Sequence, residues 1–118
     1  MEISLSTRIL WGMNLVEALR CISEKGYYGA EIWENQIHRD FKSISQLKKY
    51  LQQSKLAITL HTIFDDTNLC STNREIRKIS LKQTQDSIKL AAKLGIRKTT
   101  IHPGRKTSSK DNLAYLWE

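Results

Sequence analysis

Residues 14–33, NLVEALRCISEKGYYGAEIW, hold one complete passage from helix to strand. Asn14 offers a side-chain oxygen to the unpaired amides of a helix start, and Glu17 stands three residues on as its capping-box partner. Leu15, Ala18, Leu19 and Ile22 recur at i, i+3, i+4 and i+7, which predicts a helix of about three turns with one apolar stripe. Gly26 stands where a left-handed cap would end it. Gly29-Ala30-Glu31-Ile32-Trp33 then predicts a short strand, with Glu31 and Trp33 on one face by period-two alternation.

The same plan extends in both directions. Upstream, residues 3–7 alternate apolar and polar and read as a strand. Downstream, Ser43 with Gln46 marks a second helix start, and Ile44, Leu47, Tyr50 and Leu51 supply its apolar face. Residues 56–60 read as a strand ending at His61. Thr72 with Glu75 opens the longest helix, over 73–94, in which Leu81, Thr84, Ile88, Ala91 and Ala92 share a face and Gly95 closes the run. Residues 98–101 form a fourth strand ending at His102. Ser108 or Ser109 caps a last helix carrying Leu113, Leu116 and Trp117 on one side.

The order β-α-β-α-β-α-β-α predicts an α/β fold of about four parallel (β/α) units, because each helix returns the chain across the sheet. The links from helix to strand are short, at 25–28, 54–55 and 95–97. Those from strand to helix are longer and polar, at 8–13, 34–42, 62–71 and 103–110. Length and polarity therefore gather at the carboxyl ends of the strands, the end that hosts ligands in parallel α/β folds. No linker interrupts the pattern, and 118 residues suit one domain with one core.

Composition narrows the function classes. With 40% hydrophobic residues, Gly 5 and Pro 1, the chain is no low-complexity sequence. No apolar run is long enough to span a bilayer, and the start lacks a secretory pattern. Cys21 and Cys70 form no disulfide framework and no C-x-x-C pair, so reduced thiols and a cytoplasmic location are expected. Lys+Arg 19 against Asp+Glu 12 gives +7, which favours anionic partners such as phosphorylated metabolites, nucleic acid or an acidic protein without choosing among them. There is no P-loop, G-x-G-x-x-G turn, zinc ribbon or G-x-S-x-G elbow.

Two histidines hold matched places: His61 ends the third strand and His102 the fourth. On adjacent parallel strands their imidazoles become neighbours, a donor pair suited to Zn, Mn, Fe or Co. Packing and hydrogen bonding at two strand ends is the competing reading. Glu31, Glu34 and Asp65 are the carboxylates near enough in the pattern to assist. Glu31 falls on the inward face, where a charge needs a partner, and Glu34 at the strand end, where a polar group costs little. In His102-Pro103-Gly104, Pro103 stops the strand and Gly104 permits a sharp turn and close approach to a ligand, with Arg105 and Lys106 beside it for a phosphate. Trp11 and Phe64 are candidates for an apolar wall against a sugar ring, or for simple packing. His38, Arg39 and Asp40 read as ordinary surface, and the basic residues Arg74, Arg77, Lys78 and Lys82 as a solvated helix face.

The stretch Gly26-Tyr27-Tyr28-Gly29-Ala30-Glu31-Ile32-Trp33, the ending Ile58-Thr59-Leu60-His61, and the block from Ala91 to Gly104 with its His-Pro-Gly resemble, in this order and spacing, the xylose isomerase-like TIM barrels. These are sugar phosphate isomerases and epimerases, with endonuclease IV as a DNA-repair branch. The resemblance implies the N-terminal half of a TIM barrel and an enzyme dependent on a divalent metal ion (Zn, Mn, Mg or Co). His61 and His102 would be metal ligands, Glu31 and Glu34 catalytic groups, and Trp11, Phe64, Gly104 and Arg105 substrate contacts. A sugar or sugar phosphate is the expected substrate. Cleavage of abasic DNA is the alternative activity, and a non-catalytic binding half barrel the third reading. Such barrels use eight units and about 250 residues, and in the family most metal ligands come from strands five to eight. The four units here are therefore expected to be covered by a second copy or a partner chain, which would hide two exposed strand edges.

Overall fold

The computed structural model describes residues 1–106. Its elements are β1 (Ser4–Ser6), a 3-10 turn (Thr7–Leu10), α1 (Leu15–Glu24), β2 (Gly29–Trp33), α2 (Glu34–Asp40), α3 (Ile44–Gln53), β3 (Ala57–His61), α4 (Arg74–Leu94) and β4 (Thr99–Thr100). The strands form one parallel sheet in the order β1-β2-β3-β4, half of a TIM barrel. The expected last helix, with Ser108, Ser109, Leu113, Leu116 and Trp117, lies outside the described residues.

The stripe of α1 is buried as its spacing predicts: Leu15, Ala18, Leu19 and Ile22 are fully covered. They meet Ala30 and Ile32 of β2, Leu60 of β3 and Leu47 of α3 in the core. Asn14 caps α1 by accepting from the Glu17 amide at 3.0 Å. Registers Ser6↔Glu31↔Thr59 and Trp33↔His61↔Thr100 put these side chains together on the opposite, concave face of the sheet. One face is thus aliphatic and sealed by helices, while the other is polar until the aromatic rim.

The structure corrects four expectations. Residues 34–40, expected as loop, form α2, which buries Glu34, Gln36 and Ile37. A helix whose inward face is mostly polar leaves no 3.6-residue apolar period to detect. The cap of α4 is Asn73, which accepts from the Glu75 and Ile76 amides, and not Thr72. The inward face of α4 is Ser80, Thr84, Ser87, Ala91 and Leu94, whereas Leu81 and Ile88 are 50% and 44% exposed. Finally, β4 is only two residues long, and β1 ends at Ser6, where the chain enters the 3-10 turn.

Arg39 is exposed, as the surface reading expects, but it and Asp40 also have structural partners. Arg39 donates to the carbonyls of Trp11 and Met13 at 2.6 and 2.7 Å, and Asp40 accepts from the Leu15 amide at 2.7 Å. The pair pins the loop after β1 and satisfies the first open amide of α1. Among the described residues no helix is long and apolar enough to cross a membrane.

Candidate functional site

At the carboxyl ends of β3 and β4 the two histidines meet. His61 Nε2 and His102 Nε2 are 3.0 Å apart, with ring centroids at 4.9 Å. Adjacent parallel strands bring them together, as the matched strand endings predict. The other nitrogen of His61, Nδ1, lies 3.0 Å from the Thr62 carbonyl. A carbonyl only accepts, so Nδ1 carries the proton and Nε2 of the neutral ring presents its lone pair to His102.

An aromatic wall encloses the pair. Phe64 stacks on His102 at 4.4 Å and 14°, and packs edge-on to His61 at 5.1 Å. Trp33 lies behind them, 5.8 Å from Phe64 and 6.3 Å from His61. Trp11 packs edge-on to Trp33 at 5.3 Å. Arg8 lies over the Trp33 ring and Arg39 over Trp11, at 4.4 and 4.5 Å. A groove of about 680 Å³ opens beside the pair, lined by Phe64, Asp66, Asn68, His102, Gly104 and Arg105. Three of the expected substrate contacts border that groove. Trp11 does not.

The two glutamates have different surroundings. Glu31 accepts from the Thr100 hydroxyl at 2.7 Å, across β3 on the concave face. It stands two residues before Trp33 on that face, a step of about 6.6 Å below the rim. Glu34, expected at the strand end where a polar group costs little, is 3% exposed and occupied at both oxygens: Oε2 accepts from the Ile63 amide at 3.2 Å, and Oε1 pairs with His38 Nε2 at 3.2 Å. It ties the loop after β3 to α2. Asp65 accepts from Asn35 Nδ2 at 3.1 Å.

Whether these residues suit a divalent metal is decided by the donor set. A tetrahedral ion with nitrogen ligands at about 2.0–2.1 Å holds two of them about 3.3 Å apart. The observed 3.0 Å is within a few tenths of that, and the Nδ1–carbonyl bond of His61 is the outer contact that orients a ligating imidazole. The pair fits half of such a site. Among the described residues no group of three or more His, Cys, Asp or Glu converges.

Sequence reading missed Asn68 and Arg8. Asn68 lies in a polar loop, and the turn it holds at Arg105 is 37 residues away; Arg8 reads as any basic residue after a strand. The run His102-Pro103-Gly104 was the available signal that a tightly held turn needed a second loop against it.

A parallel (β/α) sheet with paired imidazoles at its carboxyl rim is the ligand end of a TIM-barrel-type protein. The chain belongs to the xylose isomerase-like TIM barrel family, whose profile matches residues 19–118. Two uncharacterized proteins of Methanocaldococcus jannaschii are similar to it. One is 28% identical over 117 residues, covering 93% of this chain and 42% of the relative. The other is 26% identical over 105 residues, covering 88% and 36%. Among solved structures, a D-tagatose 3-epimerase-like protein superposes with a TM-score of 0.77 at 24% identity, over 98% of this chain and 43% of that one. The chain thus spans less than half the length of the relatives it matches.

Proposed function

We propose that this chain supplies the amino-terminal half of an isomerase or epimerase site for a sugar or sugar phosphate, located in the cytoplasm. The observation that carries the reading is the His61–His102 pair, 3.0 Å apart on the ligand end of the sheet. The two imidazoles would hold a divalent ion (Zn, Mn, Mg or Co) together with ligands from the chain segment or partner that completes the barrel. Such an ion, when bound, polarises substrate oxygens and so acidifies the carbon next to a carbonyl.

The chain's own residues do the rest. Phe64, backed by the buried Trp33, gives an apolar wall to one face of the ring, which orients it and excludes water. Gly104 and Arg105 border the groove where a phosphate or terminal hydroxyl would sit, and the guanidinium supplies a fork of donors. Glu31, held by Thr100 on the concave face, is the carboxylate we assign to proton transfer. Glu34 orients the loop that carries Phe64. The epimerase-like neighbour and the family match support this class. The free thiols Cys21 and Cys70 suit a reducing compartment.

The test has two parts. In deuterium oxide with Mn²⁺ or Co²⁺, incubation with a panel of ketoses and ketose phosphates is expected to place deuterium beside the carbonyl, read by NMR, and to lose that signal in Glu31→Gln. Binding of Co²⁺ is expected to disappear in the His61→Ala/His102→Ala double variant. No exchange with any substrate, together with metal binding unchanged in the double variant, would falsify the reading. The charge of +7 favours one second reading, phosphodiester cleavage, and incision of an abasic duplex in place of sugar exchange would select it.

A further inference from the structure

We propose that Asn68 is a positioning residue: its side-chain amide fixes the turn that carries His102, and so holds that imidazole against His61. The inference rests on reading the two histidines as a ligand pair.

The observations begin with the turn. Gly104 has φ +103, a backbone that favours glycine, and a Cβ built there would overlap Asn68 Oδ1 and crowd the Leu69 and Cys70 amides at 2.9 and 3.0 Å. The two loops are in direct backbone contact with no room for a side chain between them. Into that contact Asn68 places its whole amide. Oδ1 accepts from the Arg105 amide at 2.9 Å and from the Cys70 amide at 3.1 Å, while Nδ2 donates to the Arg105 carbonyl at 2.8 Å. Cys70 Sγ adds a contact to the Pro103 carbonyl at 3.0 Å. One side chain therefore grips both backbone groups of the third residue beyond His102.

Asn68 is itself fixed. Its backbone N–H donates to Ser80 Oγ at 2.8 Å, and Ser80 Oγ donates to the Ile76 carbonyl at 2.7 Å. Ser80 is buried in the second turn of α4, so the position of that helix passes through Asn68 to the turn after β4. β4 is two residues long and cannot by itself set the direction of the chain beyond it. Phe64 holds the face of the His102 ring, and Asn68 holds the backbone that delivers it. An amide suits the contact: Oδ1 accepts from two N–H groups while a second atom, Nδ2, donates to the C=O; an ionised Asp has no donor, and a Ser hydroxyl would have to serve all three partners from one atom closer to the backbone.

The experiment uses the 118-residue chain. Imidazole nitrogen resonances are recorded without metal, and Co²⁺ affinity is measured separately by absorption. Asn68→Ala is expected to keep its far-ultraviolet dichroism, to move His102 Nε2 away from its paired position while leaving His61 Nδ1 in place, and to weaken Co²⁺ binding by about tenfold or more, the usual effect of losing an outer-shell partner. Asn68→Asp keeps the two accepted bonds, so it recovers part of the His102 shift. Gly104→Ala disturbs the same contact from the other side. It is expected to move the same resonance, and it carries the test should Asn68→Ala fail to fold. Loss of thermal stability alone, with both histidine resonances and Co²⁺ binding unchanged, overturns the proposal. Absence of Co²⁺ binding in the parent chain overturns the ligand reading, and the metal-free resonances still decide the role of Asn68.

Discussion

At the scale of single residues, a tight cluster of polar contacts lies where the sequence shows only ordinary charge. Asp40 is 14% exposed in its side chain and takes hydrogen bonds from Arg39 at 2.6 and 2.9 Å and from the Leu15 amide at 2.7 Å. The Arg39 guanidinium, first, and the Leu15 amide hold the Asp40 carboxyl below its ordinary value of 3.8 against the opposing effect of burial. A carboxyl lowered in the folded state contributes stability above its unfolded value and loses it as the pH falls through the folded one. Asp40→Asn is therefore expected to cost about 1 kcal/mol at pH 7, since one partner is a third exposed and screened by water. The gap should be full above about pH 4 and shrink as the pH falls below the ordinary aspartate value. Urea unfolding of both proteins across that range measures it. A gap that stays constant to low pH would reject the ion pair as its source. Nothing in the sequence announces this pair, because Arg39 and Asp40 are neighbours in the chain and their targets lie 25 to 28 residues upstream.

Among the elements, α4 shows most plainly why periodicity can mislead. Its inward face carries three hydroxyls, and each is satisfied inside the helix. Ser80 donates to the Ile76 carbonyl at 2.7 Å, Thr84 to Ser80 at 3.0 Å and Ser87 to Gln83 at 3.1 Å. A hydroxyl bonded to the i−4 carbonyl presents little more than its small carbon surface, so this face packs closely without being hydrophobic in sequence. Leu81 and Ile88 draw the predicted stripe about 80° too far round, onto an exposed flank. Ser87→Ala is accordingly expected to change stability by less than about 0.5 kcal/mol, and Ser87→Leu to destabilise by about 1–3 kcal/mol through overpacking. Ser80→Ala should cost about 1 kcal/mol, because Ser80 Oγ also accepts from the Asn68 amide. Thermal melts of the three variants give the order; equal losses for Ser87→Ala and Ser87→Leu would mean that the face is not tightly packed. Elements with a conventional apolar period, α1 and β2, are legible to the residue. α2 is not, since Glu34 and Gln36 fill inward positions where the pattern asks for aliphatic side chains.

For the whole molecule, the half-barrel plan and the meeting of His61 with His102 follow from the strand endings alone. The loop-to-loop contact through Asn68 needs coordinates, because a turn's partner is set by how far two loops fold over the rim. The plan also carries an obligation. Among the described residues, β1 and β4 are each paired along one side, and the concave face between them presents Ser6, Glu31, Thr59 and Thr100. Ile3 and Ile101, next to the two edge strands, are 47% and 39% exposed. Unpaired edges bind further strands, and β4 of one copy set beside β1 of another, twice over, closes an eight-stranded parallel ring with two-fold symmetry. We expect the 118-residue chain to associate in this way. In β4, the carbonyls of Lys98 and Thr100 face β3, accepting from Leu60 and Thr62 at 3.1 Å, so the Thr99 amide points to the open edge. Proline is tolerated where an edge amide faces outward, and there it removes the donor a new strand would need. Light scattering over a concentration series is expected to give a mass above the monomer for the parent chain. Thr99→Pro is expected to shift it toward the monomer with unchanged far-ultraviolet dichroism. A parent chain that stays monomeric and fully folded at high concentration would show that the edges are protected from within.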